Sequence, residues 1–306
     1  MVRALRQLLI ILLLYAAASA MVGIVVMEAA LHPARHALTS SDENAMLQIA
    51  NGLRSNLQDV SMITADGVQL NAWSIRPQNS NGNTVLLLHG LGDNRFGMAG
   101  YAQLFLDHGY SILMPDERAH GTSGGNIATY GYLERNDVRQ WFEWLVFNQH
   151  PHCIYGLGES MGAAQLLQTL AVEPDFCAVI AESSFSTFRE ISYDRVGQFF
   201  HTGPWLGRTV LRPTVEFAFF YARMKYKVNP LEISPESTVA NTRTPVFLIH
   251  GLIDSNIPER HSRLIVTRNK NVILWEVPKA DHCGAISTAP RKFELKVLGW
   301  TEGHPS

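Results

Sequence analysis

Cysteine is scarce in this 306-residue chain: only Cys153, Cys177 and Cys283 occur, and no two are spaced C-x-x-C. That excludes a structural zinc ribbon and a thioredoxin-type redox motif. A basic excess is missing as well. Lys and Arg number 25 against 27 Asp and Glu, giving a formal net charge of −2 and a pI near 6.6. Nothing here would neutralise a run of phosphates, so nucleic acid is not expected as a partner. There is no internal repeat and no low-complexity segment. A chain of this length buries a large core by itself and needs neither a disulfide scaffold nor a structural metal.

One long uncharged run is present. Leu8 to Met27 reads LLIILLLYAAASAMVGIVVM, twenty residues without a charge. As a helix it spans about 30 Å, the hydrocarbon thickness of a bilayer. A polar face is absent throughout, which argues against a buried core helix. A signal peptide cleaved after Ala18-Ser19-Ala20 is one reading. The apolar run continues through Met21, Val22, Ile24, Val25 and Val26, longer than a simple signal sequence needs, and this favours an uncleaved anchor. Arg3 and Arg6 before the run favour an N-in orientation, with the rest of the chain outside the cytoplasm. Residues 1–28 are therefore expected to be a transmembrane anchor contacting the membrane. Residues 29–58, polar and carrying Pro33 and the run Thr39-Ser40-Ser41-Asp42-Glu43-Asn44, are expected to be a linker.

From residue 59 to 306 the pattern is regular. Asp66-Gly67 between Val60–Thr64 and Val68–Ile75 predicts a β-hairpin. Short apolar runs follow at Thr84–Leu88, Tyr110–Met114, Cys153–Leu157, Cys177–Ala181, Pro245–Ile249 and Val272–Val277. Amphipathic stretches separate them near Met98–His108, Tyr132–Phe147, Met161–Val172, Glu259–Arg268 and Arg291–Trp300. Apolar runs without alternation suit strands covered on both faces, so the expected class is α/β with a mostly parallel sheet flanked by helices. The alternation breaks between about 186 and 243. That aromatic-rich stretch predicts a helical lid insertion whose rings form lid core first and substrate wall second.

Gly158-Glu159-Ser160-Met161-Gly162 lies between the strand-like Cys153–Leu157 and the helical Ala163–Leu167. A sharp strand-to-helix turn forces its serine into a strained backbone conformation, so Gly158 and Gly162 fit where side chains would not. The Oγ is then presented at a helix N-terminus, where developing negative charge is favoured. A plain turn would also read G-x-S-x-G; the flanking strand and helix make the difference. A serine hydroxyl needs a base, and the base needs an orienting acid. Asp254 follows the strand-like Val246–Ile249, and His282 follows Val272–Val277. Asp281 is a rival acid, but a side chain adjacent in sequence reaches the ring of His282 poorly. Oxyanion donors are assigned to the backbone N–H groups of Leu91, in the loop His89-Gly90-Leu91-Gly92, and of Met161. His89 is expected to pack beneath that loop rather than act as base.

Five segments in order, LLLHGLGDN, MPDERAHGTSGG, GLGESMGAA, FLIHGLIDSNIP and ADHCG, give residues from about 60 to 302 a resemblance to the α/β-hydrolase superfamily. Within it the chain is similar to the branch of prolyl-aminopeptidase-like, lysophospholipase-like and monoacylglycerol-lipase-like enzymes. The anchor followed by Ala30-Leu31-His32-Pro33 resembles the membrane-anchored members of that branch. The resemblance implies a serine hydrolase of carboxylesterase or lipase type acting on a small-molecule or lipid-like ester through an acyl-enzyme, with no cofactor or metal. A peptidase, an amidase or an acyl-protein thioesterase on the same triad is the first alternative. A catalytically inactive membrane-anchored binding protein is the second. Cys153 and Cys177 open two runs that this fold sets side by side, so they form either a disulfide or two buried thiols.

Overall fold

In the computed structural model, which describes residues 2–305, the chain separates into two compact units. One comprises the chain up to His32 together with Thr187–Ile233; the other comprises Pro33–Ser186 and the chain from Ser234 onward. The helices are α1 (Val2–Leu31), α2 (Ser40–Gly52), α3 (Ala99–Asp107), α4 (Glu134–Gln149), α5 (Met161–Thr169) and α6 (Phe188–Phe199). They continue as α7 (Trp205–Arg208), α8 (Arg212–Tyr226), α9 (Pro235–Val239), α10 (Arg260–Val266), α11 (Ala285–Thr288) and α12 (Pro290–Glu302). The strands are β1 (Ser55–Ile63), β2 (Gln69–Pro77), β3 (Thr84–Leu88), β4 (Ser111–Pro115), β5 (Ile154–Glu159), β6 (Ala178–Glu182), β7 (Val246–Gly251) and β8 (Val272–Val277).

The strands form one eight-stranded sheet in the order β1-β2-β4-β3-β5-β6-β7-β8. β1 and β2 pair antiparallel, as does β2 with β4, and every other pairing is parallel. Every residue of β3, β4 and β7 is buried, as unbroken apolar runs require of strands covered on both faces. Alternate residues feed two cores. Val85, Leu87, Ile112, Tyr155, Leu157, Phe247 and Ile249 pack with Phe105 of α3 and Phe293 and Val297 of α12. Leu86, Leu88, Leu113, Val179 and Leu248 pack with Trp141 and Leu145 of α4 and Leu166 and Leu167 of α5.

The stretch expected as a linker, residues 29–58, is ordered structure. α1 runs on to Leu31, α2 occupies Ser40–Gly52, and β1 begins at Ser55. The polar run 39–44 is a helix start: Thr39 Oγ1 accepts from the Asp42 N–H at 3.2 Å, and Asp42 Oδ2 accepts from the Thr39 N–H at 2.9 Å. This reciprocal capping box satisfies orphan amides at the helix entry. Met46 and Ala50 then anchor α2 in the first core.

The insertion is helical, and its compact part is Thr187–Ile233 rather than 186–243. α9 belongs to the sheet unit, where Val239 enters the second core. In the helical unit Phe188, Tyr193 and Phe219 are buried, while Phe199, Phe200, Trp205 and Phe220 are exposed.

Cys153 and Cys177 are disulfide-bonded, with Cα atoms 5.8 Å apart, and Cys283 is free. The bond closes a loop of 24 residues, worth about 3 kcal/mol in the chain-entropy account. Denatured but unreduced protein should therefore alkylate at Cys283 alone, and at all three cysteines after reduction, as read by peptide mass spectrometry. Replacing both Cys153 and Cys177 by Ala should lower stability by about 3 kcal/mol. Alkylation of Cys153 and Cys177 without reductant would contradict the bridge.

Candidate active site

The G-x-S-x-G turn joins β5 to α5. Ser160 sits there with φ 52° and ψ −111°, a region costing a non-glycine residue about 1–3 kcal/mol. Its N–H donates to the Glu182 carbonyl at 2.8 Å, which holds the strained residue against β6. A Cβ on Gly158 would lie 2.6 Å from the Gly162 carbonyl carbon and oxygen, and one on Gly162 would lie 2.4 Å from the Leu88 carbonyl oxygen. Both glycines are required because strand, turn and helix cross without room for a side chain.

Three side chains from three strand ends meet here. His282, after β8, has Nε2 2.9 Å from Ser160 Oγ. Its Nδ1 lies 2.9 Å and 3.1 Å from the two carboxylate oxygens of Asp254, which follows β7. An ionised carboxylate can only accept, so Nδ1 carries the proton and Nε2 is left to accept from the serine hydroxyl. Asp254 Oδ1 also accepts from the N–H groups of Asn256 at 2.9 Å and Ile257 at 2.7 Å. Burial pushes the Asp254 carboxyl up, but hydrogen bonds from His250, His282 and the Ile257 amide outweigh it and hold the group well below the usual carboxylate range. Asp281 lies elsewhere: it accepts from Ser255 N and Oγ and from its neighbour's own N–H, not from the ring.

His250 was not singled out by the sequence. It is fully buried, with Nε2 2.8 Å from the Ile257 carbonyl and 3.3 Å from Asp254 Oδ2. A carbonyl only accepts, so Nε2 carries hydrogen, and Nδ1 accepts from Ser262 Oγ at 2.6 Å. The ring thereby braces the Asp254 loop.

The proposed oxyanion donors lie on two sides of Ser160. Met161 is the first residue of α5, so its N–H is among those a helix start leaves without an intrahelical acceptor. Leu91 lies in the loop after β3, and a Cβ placed on Gly90 would be 3.5 Å from Ser160 Cβ. Two neutral histidines fasten this loop. His89 Nδ1 donates to the Gly90 carbonyl at 2.8 Å while Nε2 accepts from the Glu117 N–H at 3.1 Å. His120 Nε2 accepts the Gly92 N–H at 3.0 Å while Nδ1 donates to the Arg118 carbonyl at 2.9 Å. Burial above all keeps both neutral, pushing His89 down to about 4. The D-E-R-A-H-G-T-S-G-G segment is thus the clamp of the Gly90–Gly92 loop.

Beneath the elbow lies a carboxyl pair. Glu159 and Glu182 are register partners at the ends of β5 and β6. Tyr101 Oη lies 3.3 Å from Glu159 Oε2 and 3.0 Å from Glu182 Oε2, and Glu182 Oε1 accepts from the Ala285 N–H at 2.9 Å. Burial, then the Glu182 charge, pushes Glu159 up to about 8. A neutral Glu159 can donate to Tyr101, which donates on to Glu182. Cys283 is packed against this pair, and burial followed by the Glu159 and Glu182 charges keeps it a thiol.

A raised carboxyl favours the protonated fold. Its contribution is complete below the unfolded value near 4.5 and is lost as pH rises through about 8. Between pH 5 and 9 this carboxyl should therefore contribute a decline to the wild-type melting temperature. Glu159→Gln should flatten that decline, because the amide stays neutral. An equal decline in both proteins, read by calorimetry, would contradict the shared proton.

The chain's relatives agree with this architecture. The family model for serine aminopeptidases, S33, matches residues 79–219. The uncharacterized protein YqkD of Bacillus subtilis (strain 168) is 28% identical over 200 residues, covering 64% of this chain and 62% of that protein. The chain thus spans less than two thirds of that relative's length. A thermostable monoacylglycerol lipase from Bacillus sp. (strain H-257) is 28% identical over 103 residues, 31% of this chain and 38% of the lipase. The Pyrococcus furiosus esterase Pf2001 superposes with a TM-score of 0.70 at 25% identity, over 90% of this chain and 99% of the esterase. With an eight-stranded, mostly parallel sheet, a strained G-x-S-x-G elbow and these relatives, the chain has the α/β-hydrolase fold and is similar to the serine hydrolases built on it.

Proposed function

We propose that the protein is a membrane-anchored serine hydrolase that cleaves a carboxylic ester through an acyl-enzyme. The observation that carries this reading is the unbroken line from Ser160 Oγ through His282 to Asp254, with both contacts at 2.9 Å. Ser160 attacks the substrate carbonyl as His282 Nε2 takes its proton. Asp254 holds the imidazole in that tautomer and stabilises the imidazolium. The tetrahedral oxyanion forms between the N–H groups of Leu91 and Met161, each worth about 10²–10³ in rate. His282 returns the proton to the leaving alcohol, and water then repeats the sequence on the acyl-enzyme.

A peptidase is the second reading, favoured by the serine aminopeptidase family match. An aminopeptidase must hold a substrate ammonium, for which carboxylates are the natural partners. In the 187–233 unit Glu190 is paired with Arg208, and Glu216 lies 3.1 Å from Arg189 and 3.6 Å from Arg212. Seven Lys and Arg in that stretch outnumber four Asp and Glu. The balance supports an uncharged ester over a cationic peptide end. The Cys153–Cys177 bridge supports an oxidising compartment for the sheet unit, in keeping with an N-in anchor.

A panel of p-nitrophenyl esters of graded chain length, run beside amino-acid p-nitroanilides, tests the reading. Ester turnover should dominate; turnover of the anilides alone would move the protein to the peptidases. On the best ester, Asp254→Asn should cut kcat by up to about 10⁴ through the wrong histidine tautomer. Asp281→Asn should cost far less. Reversal of those two effects would transfer the orienting role to Asp281.

A further inference from the structure

The anchor helix and the helical insertion are one body. α1 presents a stripe of Ser19, Gly23, Met27 and Leu31, the residues of that helix that are buried. Gly23 is where α8 crosses: a Cβ there would stand 2.6 Å from the Thr214 carbonyl oxygen and 3.0 Å from the Ala218 N. The two backbones therefore meet as closely as small residues permit, a packing mode frequent between helices in lipid. At one end of the crossing the Tyr15 hydroxyl donates to the Val210 carbonyl. At the other, Glu28 accepts from the Tyr221 hydroxyl at 2.6 Å, the Tyr226 hydroxyl at 2.7 Å and Lys225 Nζ at 3.0 Å. α8 thus runs alongside α1 from the level of Tyr15 to the level of Glu28.

That pairing fixes depth. The uncharged run from Leu8 to Met27 just matches a bilayer core of about 30 Å. The free part before Tyr15 supplies only about 10 Å of it, at about 1.5 Å per residue. If α1 spans, the remaining stretch from Tyr15 to Met27 brings α8 to the same depth.

The side chains of the insertion fit that position. Phe217, Phe220 and Met224 share one face of α8 and are exposed, Phe220 at 60%. Phe199, Phe200 and Trp205 are exposed as well, Phe199 at 78%. The charges near the first turn of α8 are paired among themselves, Arg189 and Arg212 with Glu216. Tyr221, Tyr226 and Lys225 cluster around Glu28 near the end of α1, the residue types of a membrane–water boundary. The Thr187–Ile233 insertion itself carries seven Lys and Arg against four Asp and Glu, while the sheet unit carries 16 against 22. A positive insertion beside an acidic sheet unit matches an anionic lipid surface.

We propose that the Thr187–Ile233 insertion is embedded in lipid: α8 lies beside α1 inside an anionic bilayer, with Phe199, Phe200, Trp205, Phe220 and Met224 against acyl chains. The inference rests on α1 being a membrane anchor. Trp205 is the one tryptophan of this unit; the other five lie in the sheet unit. Full-length protein is reconstituted into vesicles of two parts phosphatidylcholine to one part phosphatidylglycerol, with acyl chains brominated near the headgroup. Wild-type emission should be quenched by a component that Trp205→Phe lacks, and both proteins should co-float with the vesicles. Co-flotation with equal quenching in both proteins would put the insertion in water and overturn the proposal, leaving the anchor standing. Failure of either protein to float would overturn the anchor and the proposal with it.

Discussion

Ser160 is held at φ 52° between a strand and a helix that meet with no space for side chains at positions 158 and 162. Much of the site's geometry depends on this constraint. The buried β3–β5–β6 ladder fixes where the chain must turn, the Glu182 carbonyl ties down the Ser160 amide, and the α5 axis starts at the hydroxyl. Relaxing the turn would swing Oγ away from His282 and move the Met161 amide together with it. The strain of about 1–3 kcal/mol is small beside the burial of the two cores, so the fold can impose it.

Around that point the surroundings sort ionisable groups into fixed states. Asp254 is kept charged by donors from His250, His282 and two backbone amides, although burial alone would neutralise it. Glu159, one residue from the serine, is pushed the other way by burial beside Glu182. His89 and His120 are buried neutral and use both ring nitrogens to tie the Gly90–Gly92 loop to the segment after β4. Opposite outcomes for two carboxyls within one site follow from who donates to them, not from residue type. The same sorting keeps Cys283, next to His282, an unreactive thiol.

The sheet was legible because its strands are apolar without alternation, and in a chain that alternates strand with helix such runs mean burial on both faces. The motif residues were legible because G-x-S-x-G, Asp254 and His282 each follow a strand. The 29–58 stretch was not, since a capping box of polar residues, Thr39 and Asp42, looks like a solvated linker until Met46 and Ala50 are seen to be buried. His250 and the Glu159–Tyr101–Glu182 bridge were hidden for a different reason. Their significance lies in contacts between residues far apart in the chain, Tyr101 and Glu182 being 81 positions apart, and no local pattern encodes them. Cys153 and Cys177 left two readings open, because spacing cannot separate a bridge from two thiols in neighbouring strands.

The central claim is that Ser160 is an activated nucleophile, and covalent labelling reads it most directly. Wild-type protein treated with a fluorophosphonate should gain one adduct, mapped by peptide mass spectrometry to the peptide bearing Ser160, and Ser160→Ala should gain none while melting at nearly the same temperature. An unlabelled wild type, or equal labelling of a folded Ser160→Ala protein, would contradict the account.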